Sequence, residues 1–354
     1  LWLLLASRAP SYTAVAGICA GCAVGLKFTA AVFMPGLVVM AILLMPKIKH
    51  VISLLAWMTV GFMAVWGWWG ALLWQHFGNP LYPMLGHLFP ATAVGGFVIH
   101  DTRYYPKTLI AWFFYPFFWL QGNSFVVSEE PLRDPRFALV YLALVFAGLS
   151  RLTRGKLPPV SPTLAGFYVF FGLGYVLWLA EFSILRYLVP LEALSGVAIF
   201  SLISSGLSQR LKIGVLAFLI VGALIFTKPI GWGRIGYDKT LVNQPLPEIP
   251  PHSVVFTDSR PLGYLLPYLH PGQSEFDAID LIKPGSSEFL HVTKLIQSGV
   301  NVELLTNQNN DQGTAAIENN KLAAFGEIYD EKNCVAIISR VQPGIRLCHV
   351  SALR

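Results

Sequence analysis

The sequence predicts an α-helical polytopic membrane protein of about seven spanning helices plus one re-entrant or interfacial helix, followed by a C-terminal extracytoplasmic α/β domain. Three observations predict it. Of the 354 residues, 55% are apolar and only 12% are charged, about half the charge an average soluble domain carries. The deficit is uneven, because residues 1–229 hold 15 Lys/Arg and 6 Asp/Glu while residues 230–354 hold 10 and 13. Apolar runs approaching the roughly 17–25 residues that cross hydrocarbon recur through the first stretch and stop before the second. The domains are therefore 1–229, solvated by lipid, and 230–354, solvated by water. The net charge of +6 comes from cations flanking the membrane segments, which excludes an ordinary cytosolic enzyme and gives no nucleic-acid surface.

The chain opens on Leu1, and Leu1 to Ala6 resembles the end of an apolar segment with neither the n-region nor the small-residue cleavage site of a signal peptide; we expect a fragment of a longer protein. The spanning candidates are Tyr12 to Leu26, Thr29 to Met45, Val51 to Trp74, Phe137 to Leu149, Thr163 to Ala180, Phe182 to Ser204 and Leu211 to Thr227. Cations orient them: Arg8, the Lys47–Lys49–His50 loop, the Arg151–Arg154–Lys156 loop and the Arg210–Lys212 loop all face the cytoplasm only if the short Leu109 to Leu120 segment does not cross. That segment is therefore re-entrant or interfacial, within one outer loop of residues 75–136. Its aromatic run, Trp112 to Tyr115 and Phe117 to Trp119, suits the headgroup level. This topology puts the tail outside the cytoplasm, as expected for a multi-pass protein of a bacterial cytoplasmic membrane.

In the tail, Ser253 to Thr257 and Val300 to Thr306 are strand-like. Pro261 to Leu269, Glu288 to Gln297 and Thr314 to Phe325 are helix-like, and Val335 to Val341 and Ile345 to Val350 form a hairpin around Gln342-Pro343-Gly344. Cys19 and Cys22 lie three apart on a helix and pack as small apolar residues. Cys334 and Cys348 fall on the two hairpin arms in an oxidising compartment, which leaves both a disulfide and two thiols open.

Three constellations carry chemistry. Lys27 stands at the helix break Gly25-Leu26-Lys27-Phe28-Thr29; an ammonium kept near hydrocarbon needs a phosphate partner or a water-lined cavity, or else snorkels to the interface. Gly17, Gly21 and Gly25 just before it form a small-residue stripe for close helix packing. Arg186, in Glu181-Phe-Ser-Ile-Leu-Arg186-Tyr187-Leu-Val-Pro190-Leu-Glu192, is expected about a turn inside the outer end of a helix kinked by Pro190, where a guanidinium grips phosphate with paired donors or pairs with Glu181 or Glu192. Glu192 is expected near mid-membrane in a structural role. The outer loop supplies Asn79 and Tyr82 in Gly78-Asn79-Pro80-Leu81-Tyr82-Pro83, then Asp101, Arg103 and Tyr104, and then Glu129, Arg133 and Asp134, residue types that hold a sugar and its phosphate or order a loop by ion pairing. Other matches fail: Gly231 to Gly236 spells a dinucleotide fingerprint but follows a membrane helix, and His76, His87 and His100 lack metal-ligand spacing, so no metal site is assigned.

Taken in order, the Gly-Leu-Lys-x-Thr break at 25–29, Asn-Pro-Leu-Tyr-Pro at 79–83 and Arg-Tyr-Leu-x-Pro at 186–190 resemble bacterial members of the GT-C glycosyltransferase superfamily, in particular its RgtA/B/C/D-like and protein-mannosyltransferase-like families. The resemblance implies transfer of a sugar from a polyprenyl-phosphate donor to a glycan, lipid or protein acceptor on the outer face of the membrane. It implies that Lys27 and Arg186 neutralise the donor phosphate, that the outer loop shapes the cavity, that the catalytic base lies in a loop upstream of residue 1, and that a divalent metal is used by some members only. Two readings from other classes stand beside it, a transporter or flippase of lipid-linked glycans and a polymerase or ligase of surface polysaccharide. The first lacks an internal repeat, and the second needs no tail of this size.

Overall fold

The computed structural model describes residues 1–6, 9–82, 84–85, 88–89, 101–121, 125–154, 160–204, 208–229, 242, 246–257, 262–269, 274–282, 284–307, 318–341 and 343–353. Arg8, Lys156, Pro83, His87, His100, the 231–236 fingerprint and residues 314–317 lie outside them. The chain divides into two compact units, residues 1–72 with 99–232, and residues 73–98 with 233–354. Residues 73–98, assigned from sequence to the membrane region, thus group with the tail.

The first unit is helical: α1 (Trp2–Ala6), α2 (Pro10–Leu26), α3 (Met34–Leu44), α4 (Ile48–Phe77, which runs on into the second unit), α5 (Leu109–Phe118), α6 (Arg136–Arg154), α7 (Pro162–Glu181), α8 (Val189–Ser204) and α9 (Gln209–Phe226). Among the described residues three helices, α4, α7 and α9, are long and apolar enough to cross a membrane, and shorter apolar helical stretches of 10–17 residues include Pro10–Leu26, Arg136–Ser150 and Val189–Ser204. The glycine stripe has a partner. A Cβ on Gly21 would stand 1.9 Å from the Met58 carbonyl oxygen, and one on Gly61 would stand 2.2 Å from that of Ile18, so α2 and α4 touch backbone to backbone. The core is aromatic at one end, where Trp119 meets Tyr115, Phe137 and Trp178 with ring centroids 5.6, 5.3 and 5.9 Å away. Met40, Leu44, Phe167 and Phe171 extend it between α3 and α7.

Two expectations need correction. Phe182 to Ser204 is not one helix. The chain leaves α7 at Glu181, turns through Ser183 at φ 52°, makes a short 3-10 turn at Leu185–Tyr187 and only then starts α8. Pro190 is the second residue of α8, where its missing N–H costs nothing, so it starts a helix instead of kinking one. Glu192 is consequently in the first turn of α8, a position where a carboxylate faces the positive end of the helix dipole.

The second unit carries a five-stranded sheet in the order β2-β1-β3-β5-β4, made of β1 (Val254–Thr257), β2 (Glu275–Ala278), β3 (Val302–Asn307), β4 (Glu327–Ile337) and β5 (Ile345–Ala352), with α10 (Ser287–Gln297) between β2 and β3. β1 is parallel to β2 and β3, and β5 is antiparallel to β3 and β4. Cys334 and Cys348 face each other in the β4–β5 register and are joined as a disulfide. The Pro261 to Leu269 segment is a 3-10 turn over Gly263–Tyr268, and residues 318–322 are helical before another 3-10 turn at Ala323–Phe325.

Candidate functional site in the first unit

Lys27 is placed by the end of α2. Its backbone turns extended (φ −153°, ψ 109°) while its N–H still bonds the Ala23 carbonyl, and Phe28 starts a 3-10 turn, so the side chain leaves the helix at its rim, exposed. Arg186 and Tyr187 are placed by the turn after α7, which is fixed from inside by the Trp178 indole donating to the Ile184 carbonyl over 2.8 Å. These two elements, 160 positions apart in sequence, converge. The Lys27 ammonium stands 4.7 Å from the centroid of the Tyr187 ring, and the Arg186 guanidinium stands 5.1 Å from the same centroid. Both cations lie over the one ring, which attracts each of them while doing nothing to cancel their charge. Tyr187 was not singled out from sequence, although its position next to Arg186 was the available signal.

A carboxylate joins them from the loop before α6. Glu129 Oε1 accepts from Arg186 Nη1 at 2.9 Å, so the arginine pairs with Glu129 and with neither Glu181 nor Glu192. Arg103 forms a two-pronged pair with Asp101, 2.7 and 2.8 Å, which holds the Asp101 carboxyl below its usual range, with the Arg186 charge acting in the same direction. Burial raises the Tyr104 phenol, and Glu129 raises it further. Asp101, Arg103, Tyr104, Glu129, Arg186 and Lys27 therefore form one neighbourhood. Among the described residues Lys27 has no carboxylate partner, only the Tyr187 ring.

One buried side chain ties the segments together. The Tyr115 hydroxyl, on α5, lies 2.5 Å from the Tyr104 carbonyl, 2.8 Å from that of Val126 and 3.3 Å from that of Ser183. Those carbonyls belong to the segment bearing Asp101 and Arg103, the segment bearing Glu129, and the turn bearing Arg186 and Tyr187. The Leu185 N–H donates to the Val127 carbonyl at 2.8 Å, and the Tyr105 hydroxyl to the Glu181 carbonyl at 2.5 Å. Tyr115 was read from sequence only as part of an interfacial aromatic run.

The other loop candidates have different work. Asp134 is buried and bonds both the backbone N–H and the guanidinium of Arg136, which also reaches Glu192 Oε1 at 2.8 Å. It therefore clamps the starts of α6 and α8. Arg133 donates from Nε to the Phe226 carbonyl at 2.5 Å and lies over the Phe226 ring, while its backbone pairs with that of Lys228, which pins the chain to the end of α9. Asn79 and Tyr82 belong to the second unit. Asn79 is fully buried and builds a turn, donating to the Met84 carbonyl and accepting from the Leu81 N–H, and Gly78 before it sits at φ +66°, where a side chain is strained. Tyr82 stacks on Phe77 at 4.1 Å.

In the second unit, Glu275, Asp277 and Glu288 offer oxygens within 4.8 Å of one another. Burial first, and then the charges of Glu288 and Glu275, push the Asp277 carboxyl up to about 7. Glu318 is buried and accepts from the Thr306 and Tyr329 hydroxyls, a structural network under the sheet. Neither cluster was foreseen, because each is assembled by the packing of strands and helices that residue type alone does not reveal. No protein-family model matches the chain, and it has no match among the curated proteins or the solved structures compared with it.

Proposed function

We propose that the first unit binds the phosphate of a polyprenyl-phosphate-linked sugar at Lys27 and Arg186, and that the full protein transfers that sugar to a glycan, lipid or protein acceptor as a GT-C-like glycosyltransferase. The observation that carries the reading is the meeting of both cations on the ring of Tyr187. A phosphate has enough oxygens to bridge an ammonium and a guanidinium at once. As a glycosidic bond breaks, charge builds on the phosphate, and fixed cations stabilise that state more than the starting one. The shorter helices of the first unit complete about seven crossings, with this site at the extracytoplasmic rim and the sheet unit outside the cytoplasm of a bacterial inner membrane. The exposed apolar residues Leu109, Ile110 and Phe113 of α5 support an interfacial placement of that helix beside the site.

The test is transfer and binding by the full-length protein in lipid nanodiscs. Lys27→Ala and Arg186→Ala each weaken polyprenyl-phosphate binding about tenfold and lower transfer further, while membrane insertion is unchanged. Wild-type binding and turnover in both variants refute the assignment.

A further inference from the structure

We infer that Glu129 is an internal stand-in for the ligand's phosphate on Arg186, displaced when a ligand binds, and that Lys27, as the second cation, makes the site prefer phosphate over carboxylate ligands. The inference rests on the phosphate-binding reading above and goes one step into it. The pair at 2.9 Å is open to solvent on both sides, 42% for the Arg186 side chain and 29% for that of Glu129. The clamp in the same unit differs: the Asp134 side chain is 3% exposed and Arg136 is bonded to two carboxylates at once. An exposed ion pair is worth little net free energy, so it exchanges readily, whereas breaking a buried one strands a charge.

The segment bearing Glu129 does not need the pair to stay in place. Val126 is held by the Tyr115 hydroxyl, Val127 by the Leu185 N–H, and the Glu130 N–H is taken up by Ser128 Oγ. A ligand anion can therefore displace the Glu129 carboxylate without unfolding the loop. What the ligand gains depends on its chemistry. A carboxylate on Arg186 only replaces one carboxylate by another. A phosphate takes over Arg186 and can use a further oxygen on Lys27, which has no carboxylate of its own among the described residues.

The experiment uses the full-length protein in nanodiscs with three probes: farnesyl phosphate, inorganic phosphate and a carboxylate amphiphile of matched chain length. Glu129→Gln removes the competitor at constant shape, and by the usual strength of exposed pairs it tightens phosphate binding roughly two- to fivefold. Glu129→Ala does the same, which separates the effect from any new bond made by the amide. The carboxylate probe gains by the same factor, because both ligands displace the same competitor, and the preference for phosphate is unchanged. In an Arg186→Ala background the Glu129→Gln gain disappears. A gain for farnesyl phosphate alone assigns the site to a lipid headgroup, and an equal gain for inorganic phosphate assigns it to free phosphate; both support the exchange. Unchanged or weaker binding of both phosphate probes in the Glu129 variants, or a gain that survives without Arg186, overturns it. That failure is distinct from failure of the phosphate-binding reading, in which Arg186→Ala itself leaves wild-type affinity.

Discussion

Tyr115→Phe removes a single oxygen atom from the point where three segments of the first unit meet. Its hydroxyl has one proton and faces three carbonyl oxygens, of Tyr104, Val126 and Ser183, and the side chain is 1% exposed. A neutral hydrogen bond contributes about 1 kcal/mol net, and a buried acceptor left without a donor costs about 1–3 kcal/mol, so a loss of about 2–3 kcal/mol follows if no water replaces the hydroxyl. The same change frees the Ser183 carbonyl in the turn that sets Arg186 and Tyr187 beside Lys27, so phosphate affinity falls together with stability. Unfolding of purified protein in mixed detergent micelles reads the first effect, and titration with farnesyl phosphate reads the second. Tyr104→Phe is the internal control, because Tyr104 contributes its carbonyl to this junction and keeps that carbonyl in the variant. A Tyr115→Phe protein within 0.5 kcal/mol of wild type, on the roughly 1 kcal/mol scale of a net hydrogen bond, with unaltered phosphate affinity would refute the idea that this hydroxyl organises the site.

Three further outcomes are expected. Gly21→Ala forces a methyl to within 1.9 Å of the Met58 carbonyl oxygen, so α2 and α4 must separate; a loss of at least about 1–3 kcal/mol is expected in the same unfolding assay, against near neutrality for Gly148→Ala, which has open space. Removing the Cys334–Cys348 disulfide, whose partners are 14 positions apart, relaxes the unfolded chain by about 3 kcal/mol, read as faster hydrogen exchange in β4 and β5. The Asp277 carboxyl, raised from 3.8 to about 7, holds its proton in the folded chain where the unfolded chain has lost it. The contribution of Asp277 to the stability of the second unit is therefore greatest below about pH 4, falls as pH rises to about 7 and then levels off, and Asp277→Asn removes that part of the slope in a pH series of exchange or melting measurements.

The helices were legible wherever an apolar run ended on a glycine, a proline or a cation. α2, α4, α7 and α9 lie within a few residues of the runs Tyr12 to Leu26, Val51 to Trp74, Thr163 to Ala180 and Leu211 to Thr227. The break before α8 was hidden because Phe182, Ile184 and Leu185 are as apolar as any helical residue. What breaks the helix there is Ser183 in a left-handed conformation and the indole of Trp178 capturing the Ile184 carbonyl, and neither has a signature in hydropathy. In the tail, β2 was missed because Glu-Phe-Asp-Ala has the wrong composition for a strand on its own. It becomes one by adding to the edge of β1, a contact made across intervening chain. The first half of β4 was obscured in the same way by the acidic and polar run Asp330 to Asn333, where the register with β5 slips.

The site shows a sharper limit. Lys27 was found from its residue type at a helix break and Arg186 from its residue type near the outer end of a helix, because a cation near hydrocarbon is costly enough to need a reason. The pairing of Arg186 with Glu129 was not, because an ion pair is chosen by geometry that residue type does not encode. Glu129, Asp134 and Glu192 are equivalent as letters, each a short step from an arginine. Asp134 is buried just before α6, Glu192 is half-buried in the first turn of α8, and Arg136 between them bonds both, so that network is taken up in joining the two helices. Glu129 sits on a segment held by its backbone, with its carboxylate free to leave. Burial therefore decides which charges are consumed by the fold and which can be exchanged for a ligand.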